Sequence, residues 1–155
     1  MKLQAVTRQK QRLDAVFAKI GAFQGDPELQ AHWAAYLCVL VSGFTEEAIR
    51  QILLEYARRQ SSPHVANYID AQLQSFQNPK MERILILVRA FSPSWEQDLK
   101  QKTEGRIKDA VDSIVANRHL IAHGRTATSL SYVRVKEYYD GVIDLIDLLE
   151  TQCGL

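Results

Sequence analysis

Long apolar runs are missing from this 155-residue chain. The longest, Trp33 to Val41, falls far short of the roughly 20 residues that cross a bilayer, so no membrane span is expected. Cysteine is scarce too. Cys38 and Cys153 form neither a disulfide framework nor a metal-ligand spacing, and with four scattered histidines neither a structural zinc site nor any other cofactor is expected. Charge of one sign is also lacking. The 19 basic and 18 acidic residues leave +1, which argues against gripping long nucleic acid through a strong overall field and leaves only a local basic patch open. There are no internal repeats, low-complexity tracts or glycine-rich phosphate loops. Polar and charged residues interrupt every signal-peptide core that Met1-Lys2-Leu3-Gln4 could begin. A soluble, cytoplasmic protein is the expectation.

What is present is helical patterning. By length, residues 1–155 make one domain, able to bury roughly 70% of its unfolded surface without a staple. All four prolines follow a capping residue, at Asp26-Pro27, Ser62-Pro63, Asn78-Pro79 and Ser92-Pro93. Each pair is a helix-start signal, since the proline nitrogen would lack a partner in the first turn anyway. No stretch alternates with period two between hairpin turns. The expected class is all-α, a bundle of five to six helices.

In chain order, the first helix runs from about Leu3 to Ile20 with Leu13, Val16, Phe17 and Ile20 inward. Arg8, Lys10, Arg12 and Lys19 face the other way, as a solvated face or an RNA-backbone contact. The second starts at Asp26-Pro27 and continues to about Arg59, with Ser42-Gly43 as the expected kink. Its first half, including Trp33 and Tyr36, is apolar nearly all round, which predicts a central core helix. His32 and Cys38 read as core or rim residues, and Glu46 and Glu47 as paired charges on an exposed face. Shorter helices are expected from Ser62 to about Phe76 and from Asn78 to about Phe91. In Ser92 to Gly105, Ser94-Trp95-Glu96-Gln97 reads as a capping box opening a short turn, and the polar remainder as a mobile connector or the border of a cleft. Arg125 to Ser131 reads as a loop. Ser131 then caps a last helix to about Gln152, whose acidic stripe of Glu137, Asp140, Asp144, Asp147 and Glu150 faces water, the basic first helix or a basic partner.

The stretch Ile114-Val115-Ala116-Asn117-Arg118-His119-Leu120-Ile121-Ala122-His123-Gly124-Arg125 breaks the pattern in an informative way. Ile107, Val111, Ile114 and Val115 make an amphipathic stripe, and its next position is Arg118. A guanidinium there costs several kcal/mol to desolvate unless it is paired or opens onto a cleft. His123 follows five residues later, and Gly124 is the usual residue just past a helix end. Chance alone predicts on the order of 0.3 such spacings in this composition. Arg59 and His64 repeat the spacing, but Ser61-Ser62-Pro63 between them would break a helix.

This run resembles the signature of the HEPN superfamily, R-x4-6-H with a polar residue directly after the arginine. From about Trp33 to Glu150 the chain is similar to its RiboL-PSP-HEPN branch. The resemblance implies an all-α fold, a homodimer with a composite active site, and metal-independent endoribonuclease activity in a toxin–antitoxin, phage-defence or RNA-processing setting.

Arg118 and His123 are the candidate catalytic residues. A histidine titrating near neutrality serves as base or acid toward a 2′-hydroxyl or a leaving 5′-oxygen, and an arginine fork suits charge growing on phosphate oxygens. On an ideal helix the two lie about 140° apart, so they need not touch within one subunit, and a two-fold dimer would present each twice. His119, Arg125 and Asn117 are candidate substrate contacts. As alternatives, His119 is a surface residue and Arg125 a cation at the helix C-terminus. The expected partners are RNA, a second copy of the chain, and an antitoxin or regulatory protein. The competing functional class is a non-catalytic helical module that binds RNA, nucleotide or a partner protein through the same cleft.

Overall fold

The computed structural model describes residues 2–23, 25–125 and 130–155, which form seven helices and no strand. They are α1 (Gln4–Gly21), α2 (Pro27–Gln60), α3 (Pro63–Leu73), α4 (Met81–Phe91), α5 (Pro93–Thr103), α6 (Arg106–Ala122) and α7 (Tyr132–Gln152). The class is all-α, as the patterning predicts. The seventh helix is α5, in a segment read from sequence as a turn and connector. None of these helices is long and apolar enough to cross a membrane. Most of the loop expected from Arg125 to Ser131 lies outside the described residues.

Three of the four cap-and-proline signals start helices. Asp26 accepts from Glu28 N–H at 3.1 Å and Ser62 from Val65 N–H at 3.5 Å, and α5 begins after Ser92. Asn78-Pro79 does not start one. Asn78 sits in the left-handed region at φ 50, with its N–H held by the Glu46 carboxylate at 2.8 Å. Helix α4 begins three residues later, where Met81 N–H is capped at 2.7 Å by Asp112 of α6. The cap comes from across the fold, so Lys80 needs no capping side chain of its own. Glu46, read as an exposed paired charge, is thus a half-buried anchor for the turn before α4.

Helix α2 is the axis. It is continuous through Ser42-Gly43 and packs against α1, α3, α6 and α7. Leu37, Cys38, Val41, Ile49 and Ile52 are fully buried along it. One face of its first half is not buried: Trp33 is 37% exposed and Tyr36 48%, so the expected all-round burial fails there. Helix α7 covers the opposite side of the core with Val135, Val142, Leu145 and Leu149. Tyr139 locks three helices together. Its ring stacks on Phe17 of α1 at 4.7 Å and meets Phe44 of α2 edge-on at 6.2 Å, while its hydroxyl donates to Asp14 at 2.7 Å. Burial first, then the Asp14 carboxylate, push that hydroxyl far above its ordinary pKa.

The acidic stripe of α7 is only partly wet. Glu150 is 1% exposed and accepts the backbone N–H groups of Lys2 and Leu3 at 2.6 and 3.0 Å. It holds the entry to α1, whose first-turn donors otherwise lack partners. Asp144 binds Arg106, which ties the start of α6 to α7. Helix α5 forms because Leu99 is buried and Thr103 returns its hydroxyl to the Leu99 carbonyl at 2.8 Å. Gln152 then docks it by donating to the Trp95 carbonyl at 3.0 Å.

Candidate active site at the end of helix α6

Helix α6 is held from below by its apolar stripe. Ala110, Val111, Ile114 and Val115 are buried, and Cys38 of α2 donates to the Ile114 carbonyl at 3.5 Å. One turn later the stripe reaches Arg118, which is half-buried. Its side chain makes no ion pair or hydrogen bond among the described residues. Partial exposure removes the desolvation problem that a fully buried guanidinium would raise.

The helix ends in a Schellman motif. His123 is the C-cap at φ −94, and Gly124 takes φ 68, the left-handed conformation that glycine reaches without steric cost. Gly124 N–H bonds the Ile121 carbonyl at 3.1 Å and Arg125 N–H the Leu120 carbonyl at 2.9 Å. Those bonds fix where the chain leaves the helix, and with it the origin of the Arg125 side chain.

Residues four apart share a helix face, and His119 and His123 follow that rule. Their ring centroids are 4.4 Å apart, with planes at 63° in edge-to-face contact. Both are exposed, and with Leu120 and Arg125 they line a cleft of about 340 Å³. An adjoining cleft of about 510 Å³ shares His119 and Leu120 and is bounded by Asn78 and Lys80. A third, of about 160 Å³, shares Arg125 and is bounded by His32 of α2.

Of the five residues singled out from sequence, the structure gathers His119, His123 and Arg125. Arg118 lines none of these three clefts, in keeping with its position on another side of the helix. Asn117 is half-buried and donates one amide N–H to the Ser113 carbonyl at 2.8 Å, which leaves its second N–H and its side-chain oxygen for a ligand. Sequence reasoning missed Lys80, which reaches the site only because Glu46 and Asp112 hold residues 78–81 against α6. It read His32 as a core or rim residue without linking it to Arg125; no sequence spacing joins positions so far apart. No three His, Cys, Asp or Glu side chains cluster as a metal site among the described residues.

The RiboL-PSP-HEPN family model matches residues 6–154, a span that takes in nearly all of the seven helices. The chain belongs to this family. No curated protein and no solved structure matches it. HEPN domains are often ribonucleases; here Arg118 lies in the last turns of α6 and His123 at its C-cap, where the two histidine rings cluster.

Proposed function

We propose that this HEPN domain is a metal-independent endoribonuclease. The observation that carries the reading is the His119–His123 pair beside Arg125 in one open cleft, at the end of the helix that bears Arg118. In the proposed reaction His123 takes the proton of a 2′-hydroxyl. The 2′-oxygen bonds to phosphorus, the bond to the 5′-oxygen breaks, and an acid returns a proton to that oxygen. The products are a 2′,3′-cyclic phosphate and a 5′-hydroxyl. Arg118 and Arg125 stabilise the charge that develops on the phosphate oxygens, and His119, Arg125 and Asn117 contact the substrate.

Base and acid act on opposite sides of the reacting phosphate. Two rings whose centroids are 4.4 Å apart leave no room for a phosphate between them, so His119 and His123 together form one station. The other station comes from a second copy of the chain across a two-fold axis, which also brings a second Arg118. A toxin–antitoxin, phage-defence or RNA-processing setting in the cytoplasm, with an antitoxin or regulatory partner, belongs to the same reading.

Purified protein in EDTA tests it. The expected result is RNA cut to cyclic-phosphate ends and DNA of the same sequence left intact, because only RNA carries the nucleophile. Arg118→Ala and His123→Ala should each lose about 10²–10⁴-fold in rate. Intact RNA in that assay, or variants as active as the parent, removes the enzyme reading. One observation favours the competing reading of a non-catalytic binding module: Arg118 stands outside the clefts that hold the histidines. RNA binding that survives the double alanine change, with no turnover in the parent, would establish that module instead.

A further inference from the structure

Between α1 and the first half of α2 runs an apolar groove that no described residue fills. Leu13, Val16, Leu40 and Phe44 line its wider part, about 450 Å³. Val16 also lines a continuation of about 290 Å³, with Ile20, Phe23, Leu29 and Trp33. Trp33, Tyr36, Val39, Phe23 and Leu29 are all exposed along it. Contiguous exposed apolar surface with a polar rim marks an interaction site on a soluble domain.

The rim is charged on one side. Arg8, Arg12 and Lys19 are spaced by four and seven residues and therefore form one ridge along α1. All three are exposed, and none has a carboxylate partner among the described residues. Lys10, on another face, does pair with Asp14 at 2.6 Å. On the α2 side Glu47 is already engaged by Arg50 at 3.3 Å and Gln51 at 2.6 Å. The groove thus offers an apolar floor beside a row of unanswered cations.

We propose that this groove receives an acidic amphipathic helix of a partner protein. From Gln9 to Phe23 the α1 side is about 20 Å long, the length of a four-turn helix. Such a helix would lay its i, i+3, i+4 and i+7 anchors on the floor and set carboxylates against Arg8, Arg12 and Lys19. Ten of the fifteen lining residues are apolar, six aliphatic and four aromatic, and the polar ones stand at the rim, which favours apolar side chains over the base edges of RNA. Within the chain's own acidic stripe, Asp140 is committed to Lys136, Asp144 to Arg106 and Glu150 to the start of α1. Carboxylates supplied by a partner protein would answer the ridge of Arg8, Arg12 and Lys19. None of His119, His123 and Arg125 lines the groove, so the proposal stands independently of the ribonuclease reading.

The test uses the full chain and a synthetic helical peptide of about 16 residues, with leucines at the anchor positions and glutamates along one flank. Trp33 reports on the groove. The other tryptophan, Trp95, is packed against Tyr56 and Phe91 away from it. The expected result is a saturable blue shift of Trp33 emission that weakens as salt rises and is absent with a scrambled peptide of the same composition. The double change Arg12→Glu and Lys19→Glu, at exposed positions, should raise Kd about ten-fold or more. No saturable shift, equal binding of the scrambled peptide, or affinity indifferent to both salt and the charge reversal overturns the proposal. So does a shift produced by single-stranded RNA and not by the peptide. A Trp33 shift that grows with protein concentration in the absence of peptide would overturn it in favour of a second copy in the groove, whereas dimerisation that leaves Trp33 emission unchanged and the peptide still bound supports it.

Discussion

The thiol of Cys38 on α2 donates to the Ile114 carbonyl on α6 at 3.5 Å, and the backbone N–H of Arg118 faces the same sulfur one turn later. The motif helix is therefore keyed to the central helix at the turn that carries its arginine. Burial pushes the Cys38 thiol up to about 11, with the Arg118 N–H pulling the other way, and burial alone pushes Cys153 up to about 12. The folded state holds both protons more tightly than the unfolded chain, in which the ordinary value is 9.0. The stabilisation is fully present below about pH 9 and is lost as pH rises through 11 to 12. Urea midpoints should hold steady from pH 7 to about 8.5 and fall steadily above. At pH 8 neither thiol should react with an alkylating reagent until denaturant unfolds the chain. Rapid labelling of the native protein would contradict this.

Asp112 supplies a cap to a helix other than its own, and Lys80 reaches the cleft because of it. Asp112→Ala should lower stability by about 1–2 kcal/mol, the usual range for a lost cap, with the m-value of urea unfolding unchanged. If Lys80 contacts substrate, the variant should also raise KM for RNA more than it lowers kcat. An unaltered urea midpoint would mean that Met81 N–H is satisfied without the carboxylate.

These two residues also mark how far the sequence could be read. Helical class, the central place of α2 and the inward stripe of α7 follow from periodicity and capping pairs, because those signals lie within a few neighbouring residues. Helix α5 did not stand out, since Leu99 is its one buried apolar residue in a polar stretch and the helix is held by packing against α4, by Trp95 on Tyr56 and Phe91, and by Gln152 of α7. The true start of α4, the burial of Glu150 and the arrival of Lys80 depend on partners tens of residues away. No local pattern encodes them. At the site, the expectation paired Arg118 with His123, although the four-residue spacing of His119 and His123 was the signal that joins the two rings; the proximity of His119 to Lys80 and of Arg125 to His32 exists only in three dimensions.

Two glycines separate close approach from mere flexibility. A Cβ on Gly141 would lie 2.5 Å from the Ala110 Cβ, whereas one on Gly43 would meet nothing within 4 Å. Alanine gains up to about 1 kcal/mol over glycine in a helix interior, so Gly43→Ala should be stabilising by about that amount. At Gly141 the clash opposes the gain. Helices α6 and α7 must part, overpacking costs about 1–3 kcal/mol, and the net change should be a loss. Urea titration of the two variants side by side should give midpoint shifts of opposite sign.

Gly124 and Gly154 close α6 and α7 with the same geometry, φ 68 followed by a bond back to the preceding turn, Arg125 N–H to Leu120 and Leu155 N–H to Glu150, each at 2.9 Å. An alanine in the left-handed region costs roughly 1–2 kcal/mol, so Gly124→Ala and Gly154→Ala should destabilise by similar amounts. Only the first displaces a residue of the candidate site, because Arg125 leaves the helix through Gly124. RNA cleavage should therefore fall in Gly124→Ala beyond what Gly154→Ala loses. Gly124→Asn should recover much of it, since asparagine tolerates positive φ. Equal activity in the two alanine variants at matched folded fraction would place Arg125 outside the substrate path and leave Arg118 and Lys80 as the cations that meet the phosphate.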